Sequence, residues 1–288
     1  MNIQWFPGHM SKTRRLISDN LKLVDAVIEV IDARIPYSSK NPEIGVIIGK
    51  KPRIILLNKA DVANEAVTKS WTDFYLRSNI TAIATDCKSG RNCNKVLPAV
   101  RRLLMDEMVK WHQKGMVGRA IRIMVVGIPN VGKSALINRL SGSKRAKVED
   151  RPGVTRSKQW IKLERDFELL DTPGVLVPKF EEEVVGLSLA FTGAIKDDIL
   201  DSETLAVLFV RTIRKTAPGA LQSRYGVDFS EDAADGEVLE MIGRKRGFLI
   251  SGGEVNAERT AQVLLDEFRS GKLGRISLEL PEEKNDAL

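Results

Sequence analysis

Residues 127–134 have the sequence GIPNVGKS, a spacing of glycine, lysine and serine that suits binding of a phosphate chain. An apolar stretch, 121–126, precedes these residues and a helical pattern, 133–140, follows them. In such a strand–loop–helix unit, main-chain N–H groups and the helix N-terminus face the phosphates. Lys133 would reach the β- and γ-phosphates, and the Ser134 hydroxyl would bind Mg²⁺. We expect this phosphate loop to bind a nucleotide through Asn130, Val131, Gly132, Lys133, Ser134 and Ala135.

Residues 58–61, with the sequence NKAD, follow the apolar stretch 53–57 and predict which base is bound. The Asp61 carboxylate can accept hydrogen bonds from N1–H and the exocyclic amine of guanine. Adenine has no donor at either place, so ATP would leave this acceptor unpaired. The pattern therefore favours GTP over ATP, with Asn58 holding the loop, Lys59 covering the base and Ala60 between them. Asp86 and Cys87 follow the stretch 80–84, and their position predicts a second base-contacting loop.

A third motif, DTPG at residues 171–174, follows the apolar stretch 167–170. Asp171 is placed to act on Mg²⁺ through a water molecule. Gly174 has no side chain to prevent its N–H from approaching a γ-phosphate. Thr155, in the loop 151–156, lies between two phosphate motifs and is the expected switch-loop ligand. Mg²⁺ is therefore predicted at Ser134, Thr155 and Asp171.

Short apolar runs that alternate with helical patterns indicate an α/β fold with a mostly parallel sheet. Strands are predicted at 26–31, 53–57, 80–84, 121–126, 159–163 and 167–170, and the last two form a hairpin. Helices are predicted at 11–21, 62–78, 95–114 and 133–140. After about residue 180 the pattern changes to helices broken by glycines, including one at 257–270. We expect a nucleotide-binding domain over 1–180 and a smaller α-helical domain over 181–288.

Composition restricts the class of protein. The 288 residues are 43% hydrophobic and 29% charged, which excludes a disordered or fibrous chain. Cys87 and Cys93 are the only cysteines, as is typical of a reducing cytosol, and no apolar run approaches the length of a membrane span. A cytoplasmic protein without a membrane partner is expected.

Charge is distributed unevenly along the chain. Residues 1–180 hold 32 Lys and Arg against 17 Asp and Glu, whereas residues 181–288 hold 13 against 21. The basic part is typical of a surface that binds nucleic acid, although a solvated basic surface without a specific partner has the same composition.

The motifs occur in an unusual order, since NKAD precedes the phosphate loop and DTPG. Rotating the chain restores the order of ordinary small GTPases, so the sequence predicts a circularly permuted P-loop GTPase domain with a six-stranded sheet. Together with WFPGHM at 5–10, DARIP at 32–36 and RYG at 224–226, this order resembles the YlqF/RbgA family of circularly permuted GTPases. The resemblance covers nearly the whole chain.

The resemblance implies a monomer that binds GTP and GDP, binds rRNA and hydrolyses GTP during late maturation of the large (50S) ribosomal subunit. It implies catalytic roles for His9, Lys133 and Thr155. His9 would orient the attacking water, because Val175 stands where many GTPases have glutamine. A structural or rRNA-contacting role for His9 is the alternative. Asn130 resembles the residue with which potassium-stimulated relatives bind K⁺.

A second function remains open, a GTP-dependent RNA-binding or RNA-modifying factor with a non-ribosomal RNA target. Residues 181–288 contain neither His nor Cys, which excludes a metal cluster or a thiol nucleophile there and favours a binding module. In that region, contacts with RNA are expected at 244–246 and 272–275. A metabolic kinase is excluded, because NKAD selects guanine and no acceptor-substrate motif is present.

Overall fold

A six-stranded sheet forms the centre of the computed structural model, which describes residues 10–142, 159–163, 166–171, 182–195 and 201–281. The strands are β1 (Ala26–Asp32), β2 (Arg53–Asn58), β3 (Thr81–Ala84), β4 (Ile121–Val126), β5 (Gln159–Lys162) and β6 (Phe167–Asp171). Their order is β3-β2-β1-β4-β6-β5. All neighbouring strands are parallel except β5 and β6, which are antiparallel. The predicted α/β fold and its mostly parallel sheet are confirmed.

The central strand β1 shows why the sequence forms this sheet. All seven of its residues are buried, as expected for a parallel strand with helices on both faces. On one face Ile28 and Val30 pack with Val125 of β4 and with the helices at 96–103 and 133–140. On the other face Val27 packs with the helices at 10–21 and 42–48, and Ile31 packs with the helix at 65–77.

Eleven α-helices lie in the described ranges. They are α1 (Met10–Leu21), α2 (Pro42–Ile48), α3 (Glu65–Arg77), α4 (Val96–Leu103), α5 (Met105–Gln113), α6 (Lys133–Leu140), α7 (Glu183–Phe191), α8 (Ser202–Thr216), α9 (Ala220–Tyr225), α10 (Asp235–Lys245) and α11 (Ala257–Arg269). None of the helices in this described part has the length and apolar character needed to cross a membrane.

Two helix predictions need correction, and one helix is absent from the predictions. The helix predicted from residue 62 begins at Glu65, because the Asn64 side chain accepts the Val67 N–H and caps the first turn. The single helix predicted over 95–114 is two helices that meet at Leu104, whose φ and ψ are −99° and 12°. Leu104 is buried in the sheet core, whereas α5 has no fully buried residue and packs against that core through the partly buried Met108 and Trp111. Helix α2 was not predicted.

The helices after residue 182 enclose a core of their own. Phe209 lies at its centre, with ring centroids 5.1 Å from Phe191 and 4.8 Å from Phe268. Helix α7 joins this core to the sheet, because Leu189 packs into the sheet core and Phe191 into the helical core. The division of the chain at 180/181 stays a prediction, and the residues on its two sides share these contacts.

Candidate nucleotide site

The predicted site residues lie after the carboxyl ends of neighbouring strands. The phosphate loop follows β4, NKAD begins at the end of β2, and the loop with Asp86 follows β3. Since β3, β2, β1, β4 and β6 run in parallel, these loops meet at one edge of the sheet, where ligands of such sheets bind. Asp171 is the last residue of β6, directly beside β4 in the sheet.

Two glycines allow the phosphate loop to pack against its neighbours. Gly127 has φ +149°, and a Cβ there would lie 2.3 Å from the Val30 carbonyl oxygen. Gly132 has φ +101°, and a Cβ there would lie 2.2 Å from Nδ2 of Asn58. Any side chain at these positions would collide with fixed groups, so the glycine spacing seen in the sequence is a steric requirement.

The polar side chains of the phosphate loop bond to the loop itself and to the turn that follows α7. Lys133 Nζ donates to the Ile128 carbonyl oxygen at 2.6 Å, which keeps its ammonium group inside the loop. Ser134 is exposed in the first turn of α6, and Gly132 is the N-cap residue of that helix. Asn130, at φ +60°, donates from Nδ2 to the Gly193 carbonyl oxygen at 2.9 Å. The loop thus contacts the turn that follows α7.

Asn58 joins three loops of the site. Its Nδ2 donates to the Val131 carbonyl oxygen at 2.6 Å, and its Oδ1 accepts the Cys87 N–H at 2.9 Å. Oδ1 also accepts from Thr85 Oγ1 at 3.4 Å. Because both ends of this buried amide are bonded to protein groups, Asn58 positions the phosphate loop and the Cys87 loop relative to β2.

The NKAD residues form a turn that leaves Asp61 exposed. Lys59 has φ +62°, the Ala60 N–H donates to the Thr85 carbonyl oxygen at 3.0 Å, and the Val62 N–H donates to Lys59 at 3.1 Å. In the described part of the chain, the Asp61 carboxylate has no hydrogen-bond partner and is free to accept from a base. Lys59 Nζ lies 3.0 Å from Oδ2 of Asp32, so its stem is directed back across the turn.

Asp32 and Arg34 also belong to the site, although in the sequence they contributed only to the family resemblance. Both are buried, and Arg34 Nη2 lies 2.8 Å from Asp32 Oδ2 while Arg34 Nε and N both lie 3.0 Å from Oδ1. Burial acts to raise the pKa of Asp32, but attraction to Arg34 and Lys59 and the bonds from Arg34 outweigh it and hold that pKa well below its ordinary value. The sequence signal for this pair was an aspartate at the end of the apolar run 26–31.

Asp86 shapes the loop in which it lies. Its Oδ1 accepts from the N–H groups of Lys88 at 2.8 Å and Ser89 at 3.2 Å. Burial acts to raise the pKa of Asp86, and these bonds together with one from the Ser89 side chain lower it overall. The Asp86 carboxylate and the Cys87 N–H are therefore bonded to other groups of the protein. Their contact with a base stays a prediction.

Several predicted residues lie outside the described part of the chain, namely His9, Thr155, Gly174 and the side chain of Asp171. Ser134 lies in the first turn of α6, after the loop that follows β4, and Asp171 ends β6, the strand that pairs with β4. A hydroxyl and a carboxylate are oxygen ligands of the kind that Mg²⁺ prefers, so these residues fit the predicted metal.

Known proteins resemble this chain over its whole length. Residues 122–223 match a family described as 50S ribosome-binding GTPase. The protein "Ribosome biogenesis GTPase A" of Bacillus licheniformis is 49% identical, with 98% of this chain and 100% of that protein covered. Its namesake in Thermotoga maritima is 34% identical, with 98% and 95% covered.

Solved structures show the same likeness. The crystal structure of GNP-bound YlqF from T. maritima has a TM-score of 0.65 at 33% identity, covering 94% of this chain and 99% of that one. A GDP-bound structure of YlqF has a TM-score of 0.68 at 31% identity, covering 93% and 100%.

Proposed function

Because the chain belongs to the ribosome biogenesis GTPase A (YlqF) family of circularly permuted GTPases, we propose that it hydrolyses GTP to GDP and phosphate during late assembly of the 50S ribosomal subunit. The observation that carries the proposal is the contact made by Asn58. This side chain bonds the phosphate loop at Val131 and the Cys87 loop, which supports a single site formed by the loops proposed to bind the phosphates and the base. The protein acts as a monomer in this proposal.

Guanine is selected by Asp61 in the proposed site. Its exposed carboxylate stands at the end of a turn fixed by the bonds of Ala60 and Val62. Asp61→Asn should weaken GTP binding and favour xanthosine triphosphate, since xanthine offers an acceptor where guanine has an amine. Calorimetric titration of the wild type and of Asp61→Asn with GTP, ATP and xanthosine triphosphate measures these affinities. Equal affinity of the wild type for ATP and GTP would refute the proposed selection of guanine.

The chain's own residues hold the phosphates and the metal. Lys133 and the main-chain N–H groups of residues 130–135 bind the phosphates, and Ser134, Thr155 and Asp171 would hold Mg²⁺, with Asp171 acting through water. When bound, Mg²⁺ neutralises charge that develops on the phosphate oxygens. Gly174 approaches the γ-phosphate, His9 orients water, and Asn130 is the candidate K⁺ ligand. In the structure the Asn130 amide nitrogen is already bonded to Gly193, which leaves its oxygen for that role.

The RNA surface is proposed to lie mainly on the basic part of the chain. At 244–246, one of the expected RNA contacts in the helical part, Arg244 pairs with Glu240 at 2.7 Å and Arg246 with Glu267 at 3.1 Å. These pairs reduce the charge that the helical part offers to RNA, so the contact there should be local. The steep salt dependence typical of phosphate neutralisation is expected from residues 101–165.

Sedimentation with ribosomal particles tests the proposed target. The GTP-bound protein should co-sediment with 50S precursors and leave them when GDP is bound. Binding to a non-ribosomal RNA with no affinity for the particles would favour the second candidate, a GTP-dependent RNA-binding factor with another target.

A further inference from the structure

A segment near the end of the described chain, residues 271–279, crosses the loops that follow β1 and β2. The Ile276 N–H donates to the Val62 carbonyl oxygen at 3.1 Å, and the Leu278 N–H donates to Arg34 at 2.8 Å. Ser277 Oγ accepts the Asn64 N–H at 3.1 Å. This C-terminal segment (residues 271–279) therefore covers the turn that presents Asp61.

Farther along, the same segment is anchored to α3 and to the loop after β1. The Trp71 indole N–H donates to the Glu279 carbonyl oxygen at 3.0 Å. The buried Glu279 carboxylate accepts from the N–H groups of Tyr37 at 2.7 Å and Ser38 at 3.2 Å. At its start, a Cβ on Gly271 would lie 2.6 Å from Val62, so the chain passes in close contact with the turn. The segment is held at both ends, which fixes the position of Arg275 between them.

Arg275 bonds the turn on both sides of Asp61. Its Nη2 donates to the Ala60 carbonyl oxygen and its Nε to the Ala63 carbonyl oxygen, both at 3.0 Å. Its Nη1 lies 3.2 Å from Glu65, but this ion pair is exposed and contributes little. The two carbonyl bonds matter more, because one planar guanidinium fixes the spacing of the residues before and after Asp61.

A guanine base places strict demands on this turn. The Asp61 carboxylate must meet two donors of the base at once, and a displacement of the turn would weaken both bonds. In the described part of the chain no side chain holds the Asp61 carboxylate directly, so its position depends on the main chain at 60 and 63.

We propose that Arg275 is a positioning residue for guanine recognition, which sets Asp61 through the Ala60 and Ala63 carbonyls. The inference rests on the proposed role of Asp61 in binding guanine. It gives the part of the chain after α11 a function in the nucleotide site.

The test compares Arg275→Ala with wild-type protein by measuring affinity for GDP and for inosine diphosphate, which lacks the exocyclic amine. Arg275→Ala should bind GDP about tenfold more weakly, within the usual range of coupling between sites. Its preference for GDP over inosine diphosphate should also fall, because the amine no longer meets a fixed carboxylate.

Arg214→Ala is a matched control in the helical part. Arg214 likewise donates to main-chain carbonyl oxygens, those of Ala233 at 2.7 Å and of Glu231. It also donates to the Asp235 carboxylate at 2.9 Å. This variant should lose stability while keeping wild-type affinity and preference. A loss in Arg214→Ala equal to that in Arg275→Ala would overturn the proposal, as would equal losses of both nucleotides in Arg275→Ala.

Three further variants keep the outcome clear. If Arg275→Ala does not fold, Arg275→Lys carries the test, because lysine keeps the charge but cannot bond both carbonyls in the same geometry. Wild-type affinity and preference in Arg275→Lys would then overturn the proposal.

In an Asp61→Ala background, Arg275→Ala should add little further loss of GDP affinity, and full additivity of the two losses would overturn the inference. If Asp61→Ala alone binds GDP as wild type does, the proposed guanine site fails and the inference falls with it.

Discussion

The buried charges of Asp32 and Arg34, with the partly exposed Lys59 beside them, offer a direct test of how the site is held together. Asp32→Asn keeps the shape of the side chain but replaces an oxygen that faces two cations with either a neutral acceptor or an N–H donor. Oδ2 of Asp32 lies 2.8 Å from Arg34 and 3.0 Å from Lys59, so a donor there would face other donors. Arg34, only 1% exposed, would keep its charge without a charged partner.

The size of the effect follows from this burial. Removing one partner of a buried ion pair costs about 3–5 kcal/mol, because the remaining charge is left uncompensated. A typical domain has a free energy of unfolding of about 5–15 kcal/mol, so Asp32→Asn should fold with much of its stability lost. Asp73→Asn is the control. Asp73 pairs with Lys69 at 2.6 Å on the surface of α3, and removing such an exposed pair costs about 0.5 kcal/mol or less.

Urea unfolding of wild type and both variants measures these values, and the pH dependence checks the cause. The pKa of Asp32 is lower in the folded state than in the unfolded state, so the stability it contributes is present above about pH 3.9 and is lost as pH falls toward the folded pKa. The stability difference between wild type and Asp32→Asn should therefore shrink between pH 5 and pH 3. A difference below about 1 kcal/mol at pH 7, or one that stays constant down to pH 3, would refute this reasoning.

Two other predictions concern the phosphate site. Gly132→Ala should lose nucleotide affinity and about 1–3 kcal/mol of stability, because its Cβ would collide with Asn58 at a φ of +101°. Gly142→Ala, at φ +62° with nothing within 4 Å, has the backbone cost alone and should bind nucleotide normally in a fluorescence titration. His9→Ala should reduce GTP turnover stimulated by 50S particles and leave nucleotide affinity nearly unchanged, and equal stimulated rates would remove His9 from catalysis.

Local patterns were sufficient to place the sheet and the phosphate loop. Strand β4 and helix α6 have the predicted bounds, because a β-branched run, a glycine-rich turn and an amphipathic helix follow one another without interruption. Each signal depends only on neighbouring residues. The same holds for the helix at Ala257–Arg269, whose apolar residues recur at helical spacing.

Features that depend on distant residues were not predictable from these patterns. The break at Leu104 is not visible in the local pattern, because residues 95–114 alone look like one helix. Asn58 was expected to hold the loop, but its bonds to Val131 and Cys87 join residues 73 and 29 positions away. Arg275 lies 215 positions from Ala60, and its sequence context suggested an RNA contact instead.

Among the contacts that connect the part of the chain after residue 182 to the loops of the nucleotide site, three involve different parts of that site. Asn130 of the phosphate loop bonds Gly193, Arg275 bonds the turn at Ala60, and the Arg34 guanidinium lies 5.1 Å from the ring centre of Phe268. If a partner that binds the helical part changes nucleotide affinity through one of these contacts, the nucleotide changes affinity for the partner by the same factor. The contacts involve the phosphate loop and the guanine turn separately. A partner that disturbs only Arg275 would therefore weaken GDP and GTP alike, whereas discrimination between them requires a contact that senses the γ-phosphate.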